Sequence, residues 1–224
     1  MSKSILEMHD IVFQPQAHKR AIPKDLQIQL DAKKFYMLVG ANGSGKSTIL
    51  KMIQKHQAPT SGEIRFEKEN IKNIKATTLA KDILYIAQRP EQQLCQAMTI
   101  AEQIKLYFHA FKLTPMNHDC LMEHLRSFHP YFVNAYHQAI APLSGGQKQL
   151  LVMALGFLRK VKLLLLDEHT AALDPKAAEK IMKKTLEIIQ KNQHCTLMVS
   201  HQEAHQRYVD SVLVLEDGKI IPSG

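Results

Sequence analysis

The chain has 224 residues, 45% hydrophobic and 22% charged, with no Trp. That length suffices for one large or two small domains with a buried core, so no disulfide or metal staple is needed. The formal net charge of +8 is spread in short doublets, Lys19-Arg20, Lys33-Lys34 and Lys183-Lys184, not in a dense basic and aromatic cluster; this points to a solvated basic face and away from a nucleic-acid partner.

In chain order, residues 5–13 mix β-formers with polar residues and are expected to form a strand. Leu26, Ile28 and Leu30 alternate with Gln27 and Gln29, a period of two that predicts a half-buried strand. Residues 35–39 are continuously apolar, as in a strand buried on both faces, and end at Gly40, where a glycine-rich turn begins. A helix over 47–54 and a short strand over 63–66 follow. The pattern then turns helical over 89–140: Thr99-Ile-Ala-Glu102 is a capping box with Thr99 as N-cap, and helical spacing runs to Phe111 and again over 121–128. The last third returns to mixed α/β, with an apolar helix over 150–158 and a buried strand over 161–166. An amphipathic helix over 175–190 opens on Pro175, a core strand covers 196–200, and 211–215 with 219–221 form a hairpin around Glu216-Asp217-Gly218.

Apolar runs such as 35–41 and 163–166 fall far short of the ~20 residues of a membrane-spanning helix. The first ten residues carry Lys3, Glu7 and Asp10 and do not resemble a signal peptide, so action at a membrane is expected to go through a partner. Cys95, Cys120 and Cys195 lie far apart with no metal-binding spacing, which predicts reduced thiols in the cytosol, and no structural metal site is expected of the twelve histidines.

Three motifs carry chemistry. Gly40-Ala41-Asn42-Gly43-Ser44-Gly45-Lys46-Ser47 fits GxxxxGK[ST], the phosphate-binding P-loop. Its glycines let the backbone curl so that N–H groups point inward at an anion, and the helix that follows adds its positive N-terminal end. In that frame Lys46 reaches the β- and γ-phosphates of a bound polyphosphate, the Ser47 hydroxyl binds Mg²⁺ and Thr48 meets the α-phosphate. The apolar run 163–166 ending in Asp167-Glu168 fits a Walker B strand, which delivers two carboxylates to its C-terminal end, where α/β folds bind ligands. Asp167 is then a Mg²⁺ ligand and Glu168 the general base. Leu143-Ser144-Gly145-Gly146-Gln147 is a second glycine-rich helix start able to hold phosphate. Five fixed positions in a row arise by chance in only about one chain of this length in ten thousand.

These motifs, in this order and across nearly the whole chain, resemble the nucleotide-binding subunit of ATP-binding cassette (ABC) transporters. The resemblance implies an α/β P-loop NTPase of the ABC type: a RecA-like core, an antiparallel β-subdomain and a helical subdomain at about 89–150, all in one domain over 1–224. It implies that Gln88 is the Q-loop glutamine that senses Mg²⁺ and water, and that Ala172-Leu173-Asp174 is the D-loop. His201 becomes the switch histidine at the γ-phosphate, and Phe13 the aromatic that stacks on adenine. The signature residues Leu143–Gln147 would close over ATP bound to a second copy of the chain. The implied partners are that copy, an integral-membrane permease and, indirectly, a substrate-binding protein, at the cytoplasmic face of the inner membrane. One departure is specific: where most members have Asp-Glu-Pro-Thr, this chain has Asp167-Glu168-His169-Thr170. With 175–181 and 197–201, this run is similar to a bacterial importer branch assigned to uptake of tryptophan, tyrosine or related small solutes. An export cassette for lipoproteins or lipids and a non-transport ABC ATPase are the alternatives.

Overall fold

A computed structural model describes residues 3–14 and 23–222; the Lys19-Arg20 doublet lies outside them. The chain divides into two compact units, Met1–Tyr85 with Val161–Glu168 and Ile189–Gly224, and Ile86–Lys160 with His169–Ile188.

The first unit holds two sheets. Strand β1 (Ser4–Val12) pairs antiparallel with β2 (Leu26–Asp31) on one side and β4 (Ser61–Phe66) on the other, and β5 (Glu69–Asn70) pairs antiparallel with β4. The expected alternation in β2 is present: Leu26, Ile28 and Leu30 are buried, while Gln27 and Gln29 are exposed.

The second sheet has six strands in the order β10 (Lys219–Pro222), β9 (Ser211–Glu216), β3 (Phe35–Gly40), β8 (Cys195–Val199), β7 (Leu163–Asp167) and β6 (Ile83–Ile86). Strand β3 (Phe35–Gly40) lies between β8 (Cys195–Val199) and β9 (Ser211–Glu216), parallel to both, and β7 (Leu163–Asp167) is parallel to β8. Central parallel strands are covered on both faces, which is why β3, β7 and β8 read as near-continuous apolar runs. Strand β10 (Lys219–Pro222) closes the expected hairpin antiparallel to β9. Asp217 at φ 48° and Gly218 at φ 81° make its two-residue turn, the backbone sign that matches strand twist.

Helix α1 (Lys46–Ile53) follows β3 and buries Ile49, Leu50, Met52 and Ile53 in the core of this unit. Burying each such side chain contributes roughly 1.5–3 kcal/mol, so the helix is anchored beneath the loop that precedes it. Helix α2 (Ala76–Asp82) and strand β6 (Ile83–Ile86) are elements that sequence periodicity did not resolve.

The second unit is helical: α3 (Ile100–Phe111), α4 (His118–Phe128), α5 (Tyr131–Asn134), α6 (Gly145–Gly156) and most of α7 (Pro175–Asn192). The capping box expected at Thr99 is formed, with Glu102 N–H donating to Thr99 Oγ1 and Thr99 N–H donating to Glu102 Oε2. Helix α6 begins at Gly145, earlier than its apolar run suggests. Ser144 accepts from Gln147 N–H while the Gln147 side chain accepts from Ser144 N–H, a second capping box that sets the start.

Candidate nucleotide site

Three parallel strands of the first unit deliver their carboxyl ends side by side, in the order β3-β8-β7. Strand β3 runs into the loop 40–45, β7 ends at Asp167, and β8 runs into Ser200 and His201. Ligands of open α/β sheets bind at this edge.

The loop has the geometry of an anion cradle. Gly43 at φ 77° and Gly45 at φ 104° take left-handed conformations that a side chain would strain, and Gly45 is the N-cap of α1. A Cβ on Gly40 would stand 2.5 Å from Leu215 O, so this strand end tolerates only glycine without a shift. Lys46 is 6% exposed, and its ammonium donates to Gly40 O at 2.8 Å and Ala41 O at 2.9 Å. Burial pushes its pKa below the ordinary lysine value, opposed by the carboxylates of Glu168 and Asp167. The Ser44 hydroxyl is buried with no hydrogen-bond partner among the described residues, an orphan polar atom inside the loop. The cradle therefore fits an anionic ligand with polar oxygens. A cavity of about 520 Å³ lies between 40–44 and 214–218, but Lys46, Ser47, Asp167 and Glu168 do not line it, so it is not where the chemistry-bearing side chains meet.

Asp167 accepts a hydrogen bond from Tyr85 Oη at 2.9 Å and one from Ser47. Burial raises its carboxyl pKa, the Tyr85 bond opposes that, and neighbouring Glu168 raises it further. A hydroxyl and a half-buried carboxylate in contact form a hard-oxygen set of the kind Mg²⁺ takes. Glu168 follows at φ 47°, its N–H donating to Val199 O at 3.1 Å and its Oε1 standing 3.0 Å from His201 Nε2. Lys46, Ser47, Asp167, Glu168 and His201 are thus brought to one edge. Thr48 lies half-buried in the first turn of α1, and Ala41 and Asn42 are exposed on the loop. Phe13 follows β1 half-buried, packed against the core, with its N–H donating to Pro23 O.

The remaining candidates belong to the second unit. Gln88 is exposed in the bend after β6. Leu143 is buried, and Ser144 to Gln147 form the start of α6. A Cβ on Gly145 would touch Leu173 at 3.5 Å and one on Gly146 would press on Ala177 at 3.1 Å, so the signature packs on the segment carrying Ala172, Leu173 and Asp174. Asp174 has a local duty as well: its Oδ1 accepts from the N–H groups of Lys176 and Ala177, both at 3.1 Å, capping α7. His169 is 1% exposed, with Nε2 3.1 Å from Thr185 Oγ1.

Sequence reasoning missed Tyr85, whose only signal is an aromatic in the apolar four-residue run 83–86. It also missed that His201 and His205 stand four residues apart, a spacing metal ligands use on helices. The segment is a 3₁₀ turn, Glu203–Tyr208, and His201 faces Glu168 while His205 Nδ1 faces Ser200 Oγ.

A six-stranded, mainly parallel sheet with a glycine cradle before α1 and an acidic pair at a neighbouring strand end defines a P-loop NTPase. Comparison with known proteins narrows the class. The ABC transporter family profile matches residues 23–171. The chain is 32% identical over 215 residues to a protein of Clostridioides difficile (strain R20291) named tyrosine transport ATP-binding protein, covering 92% of this chain and 85% of that one. It is also 32% identical over 223 residues to ABC transporter B family member 14 of Arabidopsis thaliana, covering 98% of this chain but 18% of that longer protein. Multidrug resistance protein 4 of Entamoeba histolytica (strain ATCC 30459 / HM-1:IMSS / ABRM) is 29% identical, with 98% of this chain and 17% of that protein covered. A solved structure described as the ATP binding subunit of an ABC transporter superposes with a TM-score of 0.81 at 26% identity, over 98% of this chain and 89% of that one. The chain belongs to the ABC transporter family and is an ATP-binding cassette of it.

Proposed function

We propose that this cassette hydrolyses MgATP and acts as the energising subunit of a binding-protein-dependent importer of a small solute such as an amino acid. The observation that supports hydrolysis best is the convergence of Lys46, Ser47, Asp167, Glu168 and His201 at three adjacent strand ends. Phosphoryl transfer to water needs positioning and charge neutralisation more than covalent chemistry, and these residue types supply both.

In this reading the N–H groups of residues 40–48 and the Lys46 ammonium hold the phosphates, and Phe13 stacks on adenine. Ser47 and Asp167, with Gln88, hold Mg²⁺, which when bound neutralises phosphate charge. Glu168 orients the attacking water and takes its proton. His201, 3.0 Å from Glu168, contacts the γ-phosphate and fixes the carboxylate's orientation.

The whole chain 1–224 acts as one ABC domain, with a helical subdomain at about 89–150 inserted in the core. Leu143–Gln147 and Ala172–Asp174 work across a dimer of two copies, closing on the ATP of the opposite copy. The cassette sits at the cytoplasmic face of the cell membrane on a permease; among the described residues no helix is long and apolar enough to cross a membrane. Import is favoured by the run Asp167-Glu168-His169-Thr170 and by the printed name of the Clostridioides difficile relative. Export is the second reading, favoured by similarity to a multidrug resistance protein.

The test is the mass of the Glu168→Gln protein in solution. MgATP is expected to convert it from monomer to dimer and EDTA to reverse this; a monomer throughout contradicts the dimer reading. Co-purification from native membranes with a permease and a secreted binding protein supports import, and a permease whose partner is an exported lipid or lipoprotein contradicts it.

A further inference from the structure

The loop that carries His201 is fastened by two buried side chains, Ser200 and His205, to which no site role has been assigned. Ser200 is 5% exposed and His205 is 7% exposed, and Ser200 Oγ lies 2.8 Å from His205 Nδ1. The same Oγ accepts the Gln202 N–H at 3.1 Å. A serine hydroxyl has one proton and two lone pairs. With one lone pair given to Gln202, it either donates its proton to Nδ1 or accepts a proton from it, and the contact holds in both tautomers. His205 N–H in turn donates to Gln202 O at 3.0 Å, closing the segment 200–205 on itself. Between the two buried residues the His201 side chain remains 43% exposed, turned to Glu168. On its other side the strand end is pinned by Glu168 N–H donating to Val199 O.

We infer that Ser200 and His205 are positioning residues: their buried contact fixes the turn after β8 so that His201 Nε2 is held at the Glu168 carboxylate. Neither touches the nucleotide in this account. The inference rests on the reading of Glu168 and His201 as the hydrolytic pair. An exposed imidazole on a free three-residue connection would sample many orientations. A displacement of about 1 Å in a catalytic group can cost on the order of a hundredfold in rate, so the clamp acts on kcat and leaves nucleotide binding alone.

The experiment is steady-state MgATP hydrolysis by the purified full chain, with ATP affinity and thermal melting measured on the same samples. Ser200→Ala and His205→Leu are each expected to lower kcat by roughly ten- to a hundredfold while KM for ATP and ATP affinity stay within about twofold. The double variant is expected to fall no further than the worse single one, because both remove the same contact. His205→Asn, whose amide can replace Nδ1, and Ser200→Thr are expected to recover most of the rate. His201→Ala sets the reference: it should abolish turnover, and His205→Leu added to it should change nothing more. Full activity in His201→Ala overturns the functional reading itself. Loss in His201→Ala with wild-type kcat in Ser200→Ala and His205→Leu overturns the clamp alone. Parallel loss of kcat, ATP affinity and melting temperature without rescue by Asn or Thr also overturns it, since that is the mark of a purely structural contact. If His205→Leu does not fold, Ser200→Ala, which removes one hydroxyl, decides between these outcomes.

Discussion

Glu168 Oε1 lies 3.0 Å from His201 Nε2, across two neighbouring strand ends. Glu168 reaches that position from a left-handed backbone, φ 47°, a conformation that costs a residue with a side chain about 1–2 kcal/mol. The bond from its N–H to Val199 O helps hold it there. Strain of this kind gathers at functional sites, and here it falls on the residue whose carboxylate meets the histidine.

Lys46→Ala is expected to remove ATP binding itself. The ammonium is buried on the carbonyls of Gly40 and Ala41, beside the cradle it would share with phosphate. At a ligand concentration one hundred times Kd, ATP should stabilise the native protein by about 2.7 kcal/mol and the variant by nothing measurable. Differential scanning fluorimetry with an MgATP titration checks this; an unchanged thermal shift contradicts the P-loop role.

Asp167→Asn should separate stability from function. Burial raises the Asp167 pKa, so its ionised form is disfavoured in the folded state relative to the unfolded chain. The sign follows from linkage: the cost appears as pH rises above the ordinary carboxyl value and is complete once pH passes the raised folded value. The neutral amide avoids it, so the ligand-free variant should melt at or above the wild-type temperature while losing Mg²⁺-dependent stabilisation by ATP. A melting temperature several degrees lower without ligand contradicts this account.

Asp174→Ala should cost about 0.5–2 kcal/mol, because it removes the cap of α7. Asp174→Ser, which keeps a capping oxygen, should recover most of that in urea denaturation. If it recovers stability but not ATPase activity, Asp174 acts beyond its own helix. Equal stability in the Ala variant contradicts the cap.

How much of this was legible in the sequence depends on how local each feature is. The loop 40–47 is a contiguous string whose glycines and lysine serve one short turn, so its residues were readable before any coordinates. The Thr99 capping box is equally local, closing within four residues. Tyr85 was not readable, because its partner Asp167 is 82 positions away and only the β7–β6 neighbourhood in the sheet joins them. Strand β6 is four residues long, too short for a period to show. The start of α6 is legible in the glycine-rich string 143–147 and not in the apolar run, which begins only at 150, because side-chain capping fixes its polar first turn. The Ser200 and His205 contact needed the turn to be seen, since no motif pairs the two residues.

Acid should weaken the fold in a defined window. Burial holds the pKa values of His129, His194 and His205 below the ordinary histidine value, with Lys180 and Arg207 adding to the effect at His129 and His205. Groups lowered in the folded state give stability that is present above the unfolded value and is lost as pH falls through the folded one. Each of these histidines adds a slope of at most about 1.4 kcal/mol per pH unit, least at the half-buried His129. The melting temperature is therefore expected to drop between pH 7.5 and pH 5.5. A flat or rising profile contradicts that expectation.

The most direct test of hydrolysis by this cassette pairs phosphate release with ATP binding in the wild type and in Glu168→Gln. The wild type is expected to bind and turn over MgATP. The variant is expected to bind it with similar affinity and release phosphate roughly 10²–10⁴ times more slowly, the loss of a general base. Unimpaired phosphate release from Glu168→Gln would contradict the assignment at its centre.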